Sequence, residues 1–137
     1  MTEHAHLPHF EIGHEVIDSH HREIFHLVSS LDDVVHSNRR ERINDIIVFL
    51  EQYMLEHFGE EEAVMQAAHY DEYEYHHREH EIFRLRIQEL RKFFDNNTPN
   101  THLIFNIRRF VDRLVDHILT VDSGIARITH THDQKIS

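Results

Sequence analysis

The sequence predicts an all-α protein, an antiparallel up-down-up-down four-helix bundle with a short N-terminal leader and a C-terminal tail. Three observations point there. Only three Gly and two Pro interrupt 137 residues, so breaks are few and elements long. Strand-like alternation is hard to find, while apolar residues recur at intervals of three and four in four separate runs, the period of one helix face. The length suits one domain with a single sizeable core. The bundle is expected over 1–124, with a leader of about 1–16, and the tail over 125–137.

The first run, from about Asp18 to His36, carries Ile17, Ile24, Val28, Leu31 and Val35 on one stripe. His21 falls inside that stripe, and His20 lies about 100° away on the flank. The second, from about Arg42 to Ala68, gathers Ile43, Ile46, Ile47, Leu50, Tyr53, Met54, Val64 and Met65. His57 and Glu61 continue its apolar face, where Leu would be ordinary. The third, from about Glu72 to Phe94 with Asp71 as its cap, has Tyr73, Phe83, Ile87, Leu90 and Phe94 inward. His76 and His80 fill the two steps between Tyr73 and Phe83. Asp95 to Pro99 form the clearest break, with Thr98 as N-cap and Pro99 as first helical residue. The fourth runs to about Asp122, with Leu103, Ile107, Phe110, Leu114, His117 and Val121 inward, and Ser123 and Gly124 end it.

Composition narrows the chemistry. A formal charge of −11 argues against nucleic acid or an anionic membrane surface as partner. Zero Cys excludes disulfides, thiolate zinc sites and iron–sulfur clusters. The start, Met1-Thr2-Glu3-His4, lacks a secretory pattern, and no run of about 18 apolar residues exists to span a membrane. A soluble cytoplasmic monomer is the expectation. Of the 17 His, those at 4, 6 and 9 sit in a polar leader and those at 130 and 132 in a polar tail, where solvation is expected.

The remaining histidines sort by helical phase. His57 and Glu61, and again His76 and His80, stand four residues apart, so each pair shares a face one turn of 5.4 Å apart. In an alternating bundle His21 lies early in its helix, His57 and Glu61 past the middle, His76 and His80 early, and His117 and Asp122 at the end. All seven then fall toward one end of the interior. A buried Leu or Ile contributes about 1.5–3 kcal/mol. Seven such positions given up cost on the order of 10–20 kcal/mol, comparable to a domain's net stability. Burying Glu61 and Asp122 as carboxylates adds a desolvation cost. A bound cation offsets both losses.

Asp122 adds a hint, since a negative side chain in the last turn faces the negative end of the helix dipole. Its offset of five from His117 is about 140° on an ideal helix, so the last turn or the rotamer must adjust. Five imidazoles and two carboxylates are too many for one ion and suit two. If both carboxylates bridge, two octahedral ions retain room for oxygen bridges from solvent and one open position. Nitrogen-rich ligation with oxygen bridges suits iron, with manganese, cobalt or zinc as alternatives. A small diatomic could bind a redox-active pair at the open position.

These residues resemble the hemerythrin family, specifically its single-domain bacterial members, from about Ile12 to Asp122. Ile17, Asp18 and His21 look like the first-helix ligand motif. The run His57-Phe58-Gly59-Glu60-Glu61-Glu62-Ala63-Val64-Met65 is similar to the family's HFxxEExxM motif. His76 to His80 followed by Phe83 is similar to HxxxH-xx-F, and His117 to Asp122 to HxxxxD. The resemblance implies a non-haem di-iron site that binds O2 reversibly, with two irons bridged by Glu61, Asp122 and an oxo or hydroxo group. It implies that His76, His80 and His117 saturate one iron, while His21 and His57 hold the other, where O2 binds. Apolar walls, with Phe25, Phe58 and Ile118 as candidates, would exclude water. The chain departs from many bacterial members in having no Trp, His20 in place of Gln, His14 after the Gly, and Asp71 in place of a Pro. Solvated surface positions are expected for His14, His20 and His77, with a place behind the ligands as the alternative.

The expected function is reversible O2 binding for carriage, storage, delivery or sensing, with NO as an alternative ligand, and not catalysis. A di-iron oxidase or iron-storage bundle would use Glu-x-x-His pairs and mostly carboxylates. Glu23 with His26 and Glu74 with His77 have that spacing, but both His fall off the apolar stripe. A third possibility is an O2- or redox-responsive module acting on a separate partner.

Overall fold

The structure, a computed structural model, describes residues 14–122, 124 and 125, apart from the side chains of residues 34 and 35. The leader and tail histidines, Ser123 and the side chain of Val35 therefore lie outside the described residues. Four helices follow one another: α1 Glu15–Ser37, α2 Arg40–Ala67, α3 Tyr73–Asp95 and α4 Asn100–Thr120. Among the described residues there is no strand, and no helix is long and apolar enough to cross a membrane. Each helix packs on its neighbours in sequence, and α4 closes against both α1 and α2, which gives the expected all-α four-helix bundle.

The helix ends are set by backbone chemistry. His14 precedes α1, and its Nδ1 accepts the Ile17 N–H at 3.4 Å, so this histidine caps a helix. Asn38, His69 and Asn97 have positive φ of 52°, 53° and 61°, the left-handed conformation that stops a helix. After α2, Tyr70 N–H reaches the Met65 carbonyl at 3.0 Å and His69 N–H the Gln66 carbonyl at 3.2 Å. After α3, Thr98 N–H reaches Phe93 at 3.0 Å and Asn97 N–H reaches Phe94 at 3.1 Å. Both are paired closures of the Schellman type.

These closures correct three expected boundaries. Thr98 is committed to the end of α3, so Pro99, with an extended ψ of 148°, takes the N-cap of α4 and Asn100 is its first residue. Asp71 does not cap α3. The turn is closed by Tyr73 N–H on the Tyr70 carbonyl, which brings Glu72 to the cap position. Helix α4 stops at Thr120, short of Asp122, and Gly124 and Ile125 are again helical after the turn. Any side chain at 124 would collide with the Tyr70 hydroxyl, which explains glycine there.

The main core is apolar, built from the predicted stripes. Ile24, Leu31, Ile43, Ile47, Leu50, Leu103, Ile107, Phe110 and Leu114 are buried, while Val28 and Phe94 are half-buried at its margin. Phe25, Phe58, Val111 and Ile118 join it. A second small cluster, Ile17, Met65 and Ile125, closes the far end, with Val64, Tyr70 and Tyr73 partly buried on it. Between the two clusters lies a polar layer.

Candidate metal centre

Every residue singled out as a ligand is in that layer. His21, His57, Glu61, His76, His80, His117 and Asp122 are all buried. Alternation of helix direction brings the start of α1, the end of α2, the start of α3 and the end of α4 to one level. The remaining problem, the offset of Asp122 from His117, is solved by the backbone. Asp122 N–H donates to the His117 carbonyl at 3.0 Å, alongside the Val121 N–H at 2.8 Å. This i→i−5 bond widens the last turn in the manner of a π-bulge and swings Asp122 back over the site.

The seven side chains fall into two overlapping sets. Glu61, His76, His80, His117 and Asp122 offer donor atoms all within 4.8 Å of one another, as do His21, His57, Glu61 and Asp122. The carboxylates divide their oxygens between the sets. Glu61 Oε1 lies 3.0 Å from His80 Nε2 and 3.4 Å from His76 Nε2. Its Oε2 lies 3.0 Å from His57 Nε2 and 3.4 Å from His21 Nε2. Asp122 Oδ1 is 2.7 Å from His76 Nε2 and 3.0 Å from His117 Nε2, and Oδ2 is 3.0 Å from His21 Nε2. One oxygen of each carboxylate thus faces two imidazoles of the His76, His80 and His117 set, and the other faces the His21 and His57 set.

Separations near 3 Å fit hydrogen bonds, and they equally fit neighbouring ligands at right angles about an ion with bonds of about 2.1 Å. Direction distinguishes the two. Apart from the His21–Asp122 contact, the facing atoms do not meet hydrogen-bond geometry. Among the described residues, His57 Nε2, His76 Nε2, His80 Nε2, His117 Nε2, both Glu61 oxygens and Asp122 Oδ1 are buried without a hydrogen-bond partner. Buried polar atoms are normally satisfied, and this many orphans around two shared points is what a pair of cations would satisfy. The donor set fits divalent or trivalent first-row metals, and iron among them.

Within the cluster, His57, His76, Glu61 and Asp122 sustain charge despite burial. Burial alone would lower the His57 and His76 pKa values, but Glu61 and Asp122 raise both to about 9. Burial would raise Glu61, yet His57, His21 and His76 hold it well below the usual carboxylate range. Burial and the Glu61 charge both push Asp122 up, and the imidazoles of His117, His21 and His57 outweigh them. The carboxylates are therefore ionised and ready to bind a cation.

A second layer lies behind the nitrogens. His80 Nδ1 meets Glu62 Oε2 at 2.8 Å, and Glu62 also accepts from Arg84 Nη2 at 3.2 Å and faces His77 Nδ1 at 3.3 Å. Burial would raise the Glu62 pKa, but His80 and Arg84 bring it down to about 2. His117 Nδ1 meets Glu79 Oε1 at 3.4 Å. His57 Nδ1 lies 3.2 Å from His20 Nδ1. His20 and His77 are thus partly buried and engaged, against the surface position expected of them, because α2 lies alongside α1 and α3 at this level. In the sequence Glu62 stands out only as part of the HFxxEExxM run, with no role of its own, and Glu79 does not stand out at all. The Glu-x-x-His pairs stay outside, with Glu23, His26 and Glu74 exposed and His77 only half-buried.

The walls are apolar. Phe58 stacks on His80 with ring centroids 3.7 Å apart and planes 4° from parallel. Phe25, Phe58 and Ile118, the expected water-excluding residues, are all buried. Tyr53 stacks on His57 at 4.7 Å, and its hydroxyl is buried without a hydrogen-bond partner among the described residues.

The comparisons agree with this geometry. The family model for the hemerythrin HHE cation binding domain matches residues 12–128. A bacteriohemerythrin of Stenotrophomonas maltophilia is 35% identical over 122 residues, covering 88% of this chain and 78% of that protein. A bacteriohemerythrin of Methylococcus capsulatus is 32% identical over 106 residues, covering 77% and 79%. One from Pseudomonas aeruginosa is 34% identical over 82 residues, 60% of this chain and about half (54%) of the relative. No solved structure matches. With a cation-binding domain matched from end to end of the bundle and a His, Glu and Asp cluster suited to metal at its polar level, this chain belongs to the hemerythrin family.

Proposed function

We propose that this protein binds O2 reversibly at two non-haem irons joined by an oxo or hydroxo bridge, and serves oxygen carriage, storage, delivery or sensing. The observation that carries this reading is the division of Glu61 and Asp122 oxygens between a three-imidazole set and a two-imidazole set. Two bridging carboxylates with five imidazoles suit a pair of ions with unequal protein ligation. His76, His80 and His117 would hold one iron and His21 and His57 the other. The second set has fewer protein donors, so an exogenous diatomic would bind on that side.

An iron pair, when bound, supplies electrons that O2 takes up and returns. The chain's own residues do the rest. Glu61 and Asp122 set the spacing of the two sets. Phe58, Phe25 and Ile118 keep water from the imidazoles, which favours return of O2 over irreversible oxidation. The membership of bacteriohemerythrins among the relatives supports binding over turnover.

Metal analysis of aerobically purified protein, with visible spectra in air and argon, tests the reading. About two irons per chain and a spectrum that cycles with O2 are expected. A colourless zinc-only protein overturns it. Bleaching with peroxide release, or steady substrate turnover, would instead assign a di-iron oxidase.

A further inference from the structure

The two halves of the centre differ behind the ligands as well as in them. In the three-histidine half, His80 Nδ1 and His117 Nδ1 each face a carboxylate, Glu62 at 2.8 Å and Glu79 at 3.4 Å. In the two-histidine half, His57 Nδ1 faces the neutral-capable ring of His20 at 3.2 Å. Glu62 is held from outside by Arg84, whose guanidinium lies 5.5 Å above the Phe58 ring, and Phe58 in turn stacks on His80. His80 is therefore fixed in plane and in tautomer.

We infer that Glu62 and Glu79 are positioning residues that make the three-histidine half the tighter-binding half of the centre. A carboxylate accepting the Nδ1 proton leaves the Nε2 lone pair facing the shared point, and it raises the donor strength of the ring. A second imidazole does this more weakly, because it brings no formal negative charge. His76 Nδ1 has no such partner among the described residues, so the added donation enters through His80 and His117. The inference rests on the metal-centre reading above and adds which chain residues rank the two ions.

The test uses the metal-loaded full-length protein dialysed against graded chelator, with metal per chain read by elemental analysis. The wild type should lose its ions in two separate steps. Glu62→Gln keeps a carbonyl acceptor for His80 but removes the charge, and should move the second, harder step to about 10-fold weaker chelation. Its first step should not move. Glu79→Gln should move the same step by less, in line with its longer contact, and Glu62→Asp should restore it. His20→Ala should move only the first step. Circular dichroism of each loaded variant separates lost metal from lost fold; if Glu62→Gln does not fold, Glu79→Gln carries the same prediction. Identical profiles for wild type and the charge-removing variants, or equal shifts of both steps, overturn the inference. A wild type that holds no metal at all would instead overturn the reading beneath it.

Discussion

The two ends of this bundle are built on opposite principles. Around the α1–α2 and α3–α4 connections, the interior is Ile43, Ile47, Leu50, Leu90, Leu103 and Ile107, all buried and apolar. Polar groups there stay at the rim. Arg40 reaches from the start of α2 to the Phe94 carbonyl at 2.7 Å, the Thr98 carbonyl at 2.8 Å and Asn100 Oδ1 at 3.0 Å, clamping the loop without entering the core. At the other end, five imidazoles and two carboxylates occupy the corresponding inward positions. The first end is self-sufficient, because each side chain gains by leaving water. The second buries groups that are costly to dehydrate, offset in part by pairing among themselves, and a cation held there would add to its stability. Fold and function therefore divide along the length of the same four helices.

The sharpest way to break that contrast is to compare one substitution from each end in metal-loaded and chelated protein. An ion at a thousandfold its dissociation constant adds about 4 kcal/mol to stability. Glu61 contributes an oxygen to each set, so Glu61→Ala should lower metal content and close the stability gap between the loaded and chelated forms. Leu103 is fully buried at the apolar end, and Leu103→Ala should cost about 2–5 kcal/mol while leaving the gap intact. Denaturant titrations of the wild type and both variants, each loaded and chelated, check both. A gap that survives Glu61→Ala would mean that the ions bind without Glu61, and no gap in the wild type would mean that the polar end is stable without ions.

A pH series sharpens the contrast without mutation. In the metal-free form, burial disfavours charge on His57 and His76, but Glu61 and Asp122 raise both pKa values from 6.5 to about 9. A raised folded-state value means that the stability contributed is fully present below about 6.5 and is lost as pH climbs through about 9. The metal-free protein should therefore melt at progressively lower temperature across that window. The loaded form should do the opposite, because ligation requires unprotonated Nε2 atoms and protons compete with the metal. Thermal melts with and without chelator, from pH 6 to 9.5, read both slopes. Parallel slopes would mean that the metal does not displace those protons.

How much of this is legible in the sequence depends on whether a residue's role is set along one helix or between two. The candidate ligands are readable because His57 with Glu61 and His76 with His80 obey the period of their own helices. His21 and His117 sit in stripes otherwise made of Ile, Leu, Val and Phe. Glu62 and Glu79 are each next to a ligand in sequence and lie off the stripe, where an acidic residue reads as solvated. Only the approach of α2 to α3 gives Glu62 to His80, and only that of α3 to α4 gives Glu79 to His117. His20 is misread as solvated for the same reason. Helix ends shift because Thr98 serves the end of α3 before it can serve the start of α4. The adjustment required at Asp122 is visible in the sequence as a spacing problem, but its solution, an i→i−5 bond to the His117 carbonyl, depends on the turn that follows.

The smallest expected effect lies at the border between the two ends. Tyr53 sits one turn before His57 on α2, buried, with its ring stacked on the imidazole and its hydroxyl lacking a hydrogen-bond partner among the described residues. Burial and the nearby Glu61 and Asp122 charges push its pKa well above the ordinary value, so the phenol stays protonated and the cost is one dehydrated hydroxyl. Tyr53→Phe keeps the stacked ring and removes that group. In chelated protein it should raise stability by about 1 kcal/mol, the lower part of the penalty for a buried unsatisfied polar group. Denaturant midpoints at constant slope measure it. If the variant gains stability when chelated but loses it when loaded, the hydroxyl acquires a partner only with the ions present, and Tyr53 belongs functionally to the polar end. If it gains equally in both forms, Tyr53 belongs to the apolar one.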